Sequence, residues 1–176
     1  ERFVVGLVYI DNYEEALDST DDVRRSLLAG LIDKRVNKYF SPGSAIVRKL
    51  EKDKYIVVFR YNFLEKLMQD RFSLLEEIKS IKIGNEMTLT LSMGIGTGSA
   101  EYSKNYDVAK AAMDLALGRG GDQAVVKDGE KILYYGGKSQ QMEKNTRVKV
   151  RVKAHALRQI LDNNSNVLVM GHTLAD

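Results

Sequence analysis

Cysteine is absent from the 176-residue sequence, and so are long apolar runs. Without cysteine the chain has no disulfides, thiolate metal ligands or cysteine nucleophile, which is compatible with a reducing compartment. No stretch approaches the roughly 18 consecutive apolar residues that a membrane-spanning helix needs, and Glu1 does not open a charged and apolar leader. These absences predict a soluble, cytoplasmic globular piece.

A strong excess of charge of one sign is missing as well. The 27 Lys+Arg and 24 Asp+Glu residues leave a formal net charge of +3, too slight a bias to indicate nucleic acid as a partner. One basic cluster lies within ten residues: Lys144, Arg147, Lys149, Arg151 and Lys153. It contains no aromatic residue, and a solvated helix face or a linker accounts for it. We therefore expect no nucleic-acid binding.

The first half of the chain predicts a strand, a helix and a hairpin. Residues 3–10 form a continuous apolar run closed by Asp11, which is typical of a central strand covered on both faces. A helix is predicted from the capping residues 20–22 to Tyr39, with the sequence at 41–43 (Ser-Pro-Gly) ending it. Its apolar residues recur at helical spacing: Val23, Leu27, Leu31, Ile32 and Val36. Residues 45–50 and 55–60 then predict a hairpin whose charged tip is 51–54.

The second half repeats this alternation. A long helix is predicted over residues 63–81, a strand over 88–96, a helix over 106–117 that residues 118–121 terminate, and a last hairpin from 124–127 and 131–135. The element order reads β-αα-β-β-α-β-α-β, with two β-α-β halves. It predicts an α/β (α+β) fold of ferredoxin-like type, a mixed β-sheet with flanking helices.

The C-terminal part of the sequence predicts a second domain. Residues 138–145 are polar and lack periodicity, so we interpret them as a linker that follows a domain of residues 1–137. Residues 146–161 fit both a strand and a helix, and we choose a helix because its apolar stripe continues to Leu161. Residues 166–176 read as a buried strand that runs into a glycine turn with His172 and then Asp176, a pattern typical of the opening of a two-metal hydrolase site.

Several motifs resemble a known family. The chain resembles a GGDEF domain, the fold of diguanylate cyclases, in three features. These are the element order, the strand 91–95 (Leu-Ser-Met-Gly-Ile) and the helix that ends in a glycine pair. Four further runs resemble the GdpP/YybT-type cyclic di-AMP phosphodiesterases: 9–13 (Tyr-Ile-Asp-Asn-Tyr), 115–123 (Leu-Ala-Leu-Gly-Arg-Gly-Gly-Asp-Gln), 135–138 (Tyr-Gly-Gly-Lys) and 170–172 (Met-Gly-His). The resemblance implies a membrane-anchored parent with an upstream PAS sensor domain, a degenerate GGDEF domain and a catalytic DHH domain, so that this piece would lie at the cytoplasmic face of the membrane.

The same resemblance implies that cyclase activity is lost. Active cyclases need carboxylates at the end of the first strand and glycines in the hairpin, so that metal ions and nucleotide approach the backbone. Here Tyr9 stands where the first-strand metal aspartate is expected, and the tip 51–55 reads Glu-Lys-Asp-Lys-Tyr. The Arg-x-x-Asp inhibition motif, expected at 42–45, is absent.

A nucleotide could still bind at this degenerate cleft. Lys52, Lys54 and Arg119 offer cations, Tyr9 offers a ring for stacking on a base, and Asp53 is the candidate contact for Mg²⁺ that accompanies ATP. The alternative is that Asp53 and the lysines bind nothing and form a solvated hairpin tip.

In the resembled phosphodiesterases, the histidine and aspartate of the last motif begin a two-Mn²⁺ site that cleaves cyclic di-AMP. The resemblance carries this role to His172 and Asp176, as part of an N-terminal DHH fragment over residues 146–176 that would act only in the full-length protein. We interpret the chain as a regulatory domain that is not catalytic by itself. A slow ATPase, a dimerisation scaffold that forms a homodimer, and a nucleic-acid binder stay open as alternatives.

Overall fold

The computed structural model describes residues 2–18, 21–85 and 87–137. Within them the strands are β1 (Phe3–Ile10), β2 (Ile46–Glu51), β3 (Lys54–Arg60), β4 (Leu91–Thr97), β5 (Gln123–Asp128) and β6 (Lys131–Gly136). The helices are α1 (Tyr13–Asp18), α2 (Asp22–Phe40), α3 (Tyr61–Gln69), α4 (Leu74–Lys79) and α5 (Tyr102–Gly118), and a 3₁₀ turn spans Ser41–Gly43.

All six strands form one mixed sheet in the order β2-β3-β1-β4-β5-β6. β1 pairs antiparallel with both β3 and β4, while β4 and β5 are parallel. The prediction of a central first strand is confirmed, and so is the α/β fold with a mixed sheet and flanking helices. Both predicted hairpins form, β2–β3 and β5–β6.

Helices cover both faces of the sheet, as the uninterrupted apolar run of β1 requires. Val4 and Val8 face the larger core, which contains the buried residues of α2, α3 and α4. Val5 and Leu7 face the opposite side, where they pack against Ala109 of α5. Alternate side chains of a strand point to opposite faces, so a strand buried on both sides needs apolar residues at every position.

The apolar stripe predicted for α2 is wrong at its start. Val23 is 79% exposed and Leu27 is 52% exposed, whereas the buried residues are Leu28, Ile32, Val36 and Phe40. The helix begins as predicted, because the Asp21 carboxylate accepts a hydrogen bond from Arg24 N at 2.9 Å. Every residue from 22 to 27 is exposed, so the first turns of α2 extend beyond the core that the described residues form.

The single helix predicted over 63–81 is also wrong, because α3 and α4 are separate. Arg71 and Phe72 both have φ of 55°, in the left-handed region that no helix continues through. The Asp70 carboxylate accepts hydrogen bonds from Ser73 N at 3.1 Å and from Ser73 Oγ at 2.7 Å. Phe72 is fully buried at the break, so the apolar periodicity runs on across a backbone turn.

Glycines in β4 let α5 lie close to the sheet. A Cβ on Gly94 would approach Ala109 O to 2.4 Å, and one on Gly96 would approach Asn105 O to 2.2 Å.

The bounds of β4 and α5 differ from the prediction: β4 begins at Leu91 rather than at 88, and α5 begins at Tyr102 rather than at 106. The short α1 was not predicted, although Tyr13, Ala16 and Leu17 are buried at helical spacing.

A compact unit spans residues 1–137. The predicted linker 138–145, the predicted helix 146–161 and the predicted DHH fragment 146–176 lie outside the described residues and stay predictions. Among the helices of the described part, none combines the length and the hydropathy that crossing a bilayer demands.

Candidate functional site

The candidate site lies at the edge of the sheet where β1 ends. Ile10 N donates to Asp53 O at 2.9 Å, and Asp11 N donates to Thr90 O at 2.9 Å. The Asn12 amide adds two bonds, from Nδ2 to Thr88 O at 2.8 Å and from Thr90 N to Oδ1 at 3.0 Å. The end of β1 thus ties together the hairpin turn and the entry of β4.

Tyr9 brings an aromatic ring and a lysine together at this edge. It lies opposite Lys54 of β3 and Ser92 of β4, and Lys54 Nζ is 5.5 Å from the centre of its ring. Burial raises the pKa of the Tyr9 phenol, the neighbouring Tyr106 raises it further, and Lys54 opposes both. The phenol is therefore neutral at pH 7, and Tyr9 supplies a flat polarisable surface rather than a negative charge.

Lys52 and Lys54 each have a carboxylate partner. Lys54 Nζ lies 2.8 Å from Glu51 Oε2, and Lys52 pairs with Glu14 of α1. These hydrogen bonds raise the pKa of both lysines. Such exposed ion pairs contribute little to stability, so an anionic ligand can compete for either ammonium group.

Asp53 stands in a turn of two residues rather than in the four-residue tip that the sequence predicts. β2 ends at Glu51 and β3 begins at Lys54, and the Asp53 carbonyl is held by Ile10 N. Within the described residues, no group of three or more His, Cys, Asp or Glu side chains could hold a metal ion. The side chains at this edge therefore do not fit a divalent metal held by the protein alone.

The Arg119 side chain contacts β6, on the other side of β4 from Tyr9 and the hairpin turn. Its guanidinium stacks on Tyr134 of β6, 4.4 Å from the ring centre. β5 and β6 lie on one side of β4, whereas β1, β3 and the hairpin turn lie on the other. The structure brings Tyr9, Lys52, Asp53 and Lys54 together, whereas the Arg119 guanidinium contacts Tyr134.

The glycine loop after α5 ends the helix, as the sequence predicts. Gly120 N donates to Leu117 O at 2.9 Å and Gly121 N donates to Ala116 O at 3.0 Å, so these N–H groups are already used. Asp122 N donates to the Asp11 carboxylate at 3.0 Å. This loop is therefore attached to the end of β1 and does not offer a row of free donors to a phosphate.

Asp122 is a buried acid that the sequence analysis missed. Asp122 is 6% exposed, and its Oδ2 lies 2.8 Å from Lys79 Nζ of α4. Burial raises the pKa of Asp122, with Lys79 opposing the shift. Asp122 Oδ1 and Ser92 Oγ are buried without a hydrogen-bond partner in the described part of the chain. The only sequence signal was an acid next to the glycine pair, which by itself marks a turn.

The predicted manganese ligands, His172 and Asp176, lie outside the described residues, so their role stays a prediction.

Solved structures define the class of fold. The active GGEEF domain of a diguanylate cyclase from Vibrio cholerae superposes with a TM-score of 0.60, over 70% of this chain and 81% of that chain, at 12% sequence identity. At this identity the match shows the fold alone: a GGDEF domain. The family model described as "Cyclic-di-AMP phosphodiesterase GdpP-like, GGDEF domain" matches residues 8–133, and the chain belongs to that family.

Curated relatives are longer proteins. The cyclic-di-AMP phosphodiesterase GdpP of Geobacillus thermodenitrificans is 36% identical over 177 aligned positions, which cover 100% of this chain and 27% of the relative. PdeA of Listeria monocytogenes, also a cyclic-di-AMP phosphodiesterase, is 35% identical over 99% of this chain and 27% of its own length. The chain thus spans about a quarter of the length of the curated relatives it matches.

Proposed function

We propose that this chain is the regulatory, degenerate GGDEF domain of a longer cyclic di-AMP phosphodiesterase, and that it has lost diguanylate cyclase activity. The family match to residues 8–133 supports the first part. The second part depends on one observation: the end of β1 presents Tyr9 beside Lys54. A neutral phenol cannot replace the carboxylate that a cyclase uses to hold its metal ion.

The test is an assay of the 176-residue chain with GTP and either Mg²⁺ or Mn²⁺, with an active cyclase as positive control. We expect no cyclic di-GMP above background at any metal concentration. Synthesis of cyclic di-GMP by the wild-type chain, and its loss in a Lys54→Ala variant, would overturn the proposal.

A second candidate function is weak ATP binding or slow ATP hydrolysis at the same edge. Tyr9 and Tyr106 offer aromatic surface, and Lys52 and Lys54 offer exposed ammonium groups whose carboxylate partners an anion can displace. Because its guanidinium stacks on Tyr134 of β6, Arg119 provides a matched control for the cations of the hairpin.

Calorimetry with millimolar ATP and Mg²⁺ tests this second candidate. We expect Lys54→Ala and Tyr9→Ala to weaken binding several-fold and Arg119→Ala to leave it unchanged. Phosphate release should disappear in Asp53→Ala if the chain hydrolyses ATP. An absence of heat beyond dilution for the wild-type chain would reject nucleotide binding, and a dimerisation scaffold, detected as a concentration-dependent mass in light scattering, would then be the better reading.

The remaining parts of the proposal concern the longer protein. Its substrate would be cyclic di-AMP, as the names of the relatives indicate, with His172 and Asp176 as Mn²⁺ ligands of a DHH domain. It would be anchored at the cytoplasmic face of a membrane and receive its signal from a PAS sensor domain. By itself, this chain should not turn over cyclic di-AMP with Mn²⁺, and turnover above that of a His172→Ala variant would contradict the assignment.

A further inference from the structure

Among the described elements, one part of the sheet has a helix on only one of its faces. On the face that carries α5, this helix lies over β4 and also touches β1 and β5. β3 and β2 continue the sheet beyond β1, and among the described residues no helix covers them on this side. The opposite face of the same strands is covered by the core of α2, α3 and α4.

The uncovered strands present apolar side chains. Ile46 of β2 is 70% exposed and Leu50 is 50% exposed. In the register of the hairpin, Ile46 lies opposite Val58 and Arg48 lies opposite Ile56. Val58 and Ile56 are only partly buried, against the small core under α5. Together these residues form a floor that is apolar except at Arg48.

The flank of α5 forms one wall over this floor. Tyr102, Tyr106 and Lys110 recur every four residues, so they share one side of the helix. Tyr102 is 51% exposed and stacks on Phe3 at the start of β1, with ring centres 5.2 Å apart. We call the channel between this wall and β2 the β2–α5 groove. At the end of the groove near Phe3, a cavity of about 720 Å³ opens between Ile46, Val58 and Tyr102.

The groove has the width of one helix. Neighbouring strands are about 4.8 Å apart, so the distance from β1 across β3 to β2 is about 10 Å. A helix with its side chains is about 10 Å wide, and packed helices lie about 8–10 Å apart. An added helix beside α5 would therefore rest on β3 and bury Ile46, Leu50 and Val58.

The charges on the two walls indicate which helix fits. Arg48 stands on the β2 side and Lys110 on the α5 side, and neither is paired with an acid in the described part of the chain. Asp114, one turn further along α5, is an acid that lies near Tyr9, at the end of the groove opposite the cavity. We propose that the β2–α5 groove binds an amphipathic helix of a partner, one whose apolar stripe is flanked by acidic residues. The stripe would cover the apolar floor, and the acids would meet Arg48 and Lys110.

Charge also argues against two occupants from this chain itself. On α2 of a second copy, the exposed Val23 and Leu27 are flanked by Arg24 and Arg25. Asp21 and Asp22 already pair with these arginines, so this helix brings no free acid to the cations of the groove. The segment 144–153 carries five basic residues. Like charges placed opposite each other across an interface are unfavourable, so an acidic partner is the better match.

The test uses two synthetic helical peptides of about 18 residues, roughly five turns. Both carry leucines at i, i+3, i+4 and i+7 spacing, and their flanking residues are glutamate in one and lysine in the other. Fluorescence anisotropy measures their binding to the 176-residue chain. We expect the glutamate peptide to bind at least about tenfold tighter than the lysine peptide.

Three variants locate the interaction. The double variant Arg48→Glu with Lys110→Glu should reverse the preference between the peptides, and Ile46→Asp should weaken both by about tenfold or more. A control with the same change of charge on the other side of the molecule, Lys34→Glu with Lys82→Glu, should bind like the wild-type chain. Thermal melts of each variant establish that it is folded.

Other outcomes overturn the proposal. Failure of both peptides to bind, or binding that does not depend on Arg48 and Lys110, would mean that no acidic helix is recognised here. A wild-type chain that is dimeric in light scattering and becomes monomeric with Ile46→Asp would show that a second copy occupies the groove instead. Each of these results is distinct from the assays of nucleotide turnover.

Discussion

Asp70 joins three groups at the break between α3 and α4. Its carboxylate accepts hydrogen bonds from Ser73 N, from Ser73 Oγ and from the Tyr39 hydroxyl, the last at 3.0 Å. Burial alone would raise the pKa of Asp70, but the two bonds from Ser73 and the bond from Tyr39 lower it below its ordinary value of 3.8. The charged form of Asp70 is thus favoured in the folded chain.

Replacement of Asp70 by Asn should have a pH-dependent effect. A depressed pKa contributes stability above pH 3.8, and this contribution is lost as the pH falls through the folded-state pKa. We expect Asp70→Asn to lower the free energy of unfolding by about 1 kcal/mol at pH 7 and by less at pH 3. Urea unfolding at the two pH values measures this.

Asp107→Asn is the matched control, because Asp107 is an exposed acid of α5, and it should change stability by less than about 0.5 kcal/mol at either pH. An equal loss at pH 7 and pH 3 for Asp70→Asn would mean that the carboxylate charge plays no part.

Tyr9 illustrates what single residues reveal about a site. The resemblance to a GGDEF domain predicted one cleft lined by Tyr9, the hairpin residues Lys52, Asp53 and Lys54, and Arg119. It could not predict that Arg119 stacks on Tyr134, since the position of a side chain after a helix depends on which strand lies beside it. Nor could it reveal Asp122, whose partner Lys79 lies 43 residues earlier in the chain.

At the scale of elements, the contact between α5 and β4 depends on glycine. The backbone of α5 approaches Gly96 so closely that a Cβ would lie 2.2 Å from Asn105 O and 2.4 Å from Ala109 N. These neighbours are main-chain atoms of a helix and cannot move individually. The helix would have to withdraw from the sheet along this contact.

Gly96→Ala should therefore lower the free energy of unfolding by about 3 kcal/mol. Gly30→Ala provides the contrast, because Gly30 lies within α2 with no atom within 4 Å of its added Cβ. That substitution should stabilise the chain by about 0.5–1 kcal/mol through helix propensity. Chemical denaturation measures the free energy of unfolding of both variants. A Gly96→Ala chain as stable as the wild type would show that α5 does not pack this closely against β4.

The break between α3 and α4 gives a second prediction for an element. Arg71 adopts a φ of 55°, which costs an L-residue about 1 kcal/mol and costs glycine much less. Arg71→Gly should leave stability unchanged or raise it by up to about 1 kcal/mol.

The same substitution at Lys34, an exposed position inside α2, should lower stability by about 1 kcal/mol. Thermal unfolding distinguishes the two. A loss of similar size at both positions would indicate that residue 71 is helical.

Element boundaries were predicted where polar signals fix them. Asp21 begins α2, and the sequence at 41–43 ends it. The break at 70–73 was missed because apolar periodicity reports which residues are buried and not whether the backbone between them is helical. Phe72 satisfies the helical pattern of residues 63–81 through a left-handed turn.

At the scale of the whole molecule, the compact unit of residues 1–137 contains every described strand and helix. The sheet runs from β2 at one edge to β6 at the other, and both faces of β1 are covered from within the unit. A unit of this length with its own core is of the usual size for a domain that folds alone.

A chain truncated after Gly137 should therefore fold cooperatively. We expect its melting temperature to lie within about 3 °C of that of the 176-residue chain, since stability arises from the core of the unit. Circular dichroism at equal concentrations measures this. A truncated chain that melts much earlier, or without cooperativity, would place part of the folding information beyond residue 137.

Two glycines with φ of 73° and 76°, Gly136 and Gly137, finish this unit, and Gly137 N donates to Asp122 O at 3.0 Å. Asp122 N in turn donates to the carboxylate of Asp11, directly after Tyr9 and Ile10. Two hydrogen bonds, both made by the backbone of Asp122, therefore connect Gly137 to Asp11, the residue that follows the central strand β1. Asp122 thus holds the last glycine of the unit and the acid that follows its central strand in a fixed relation to each other.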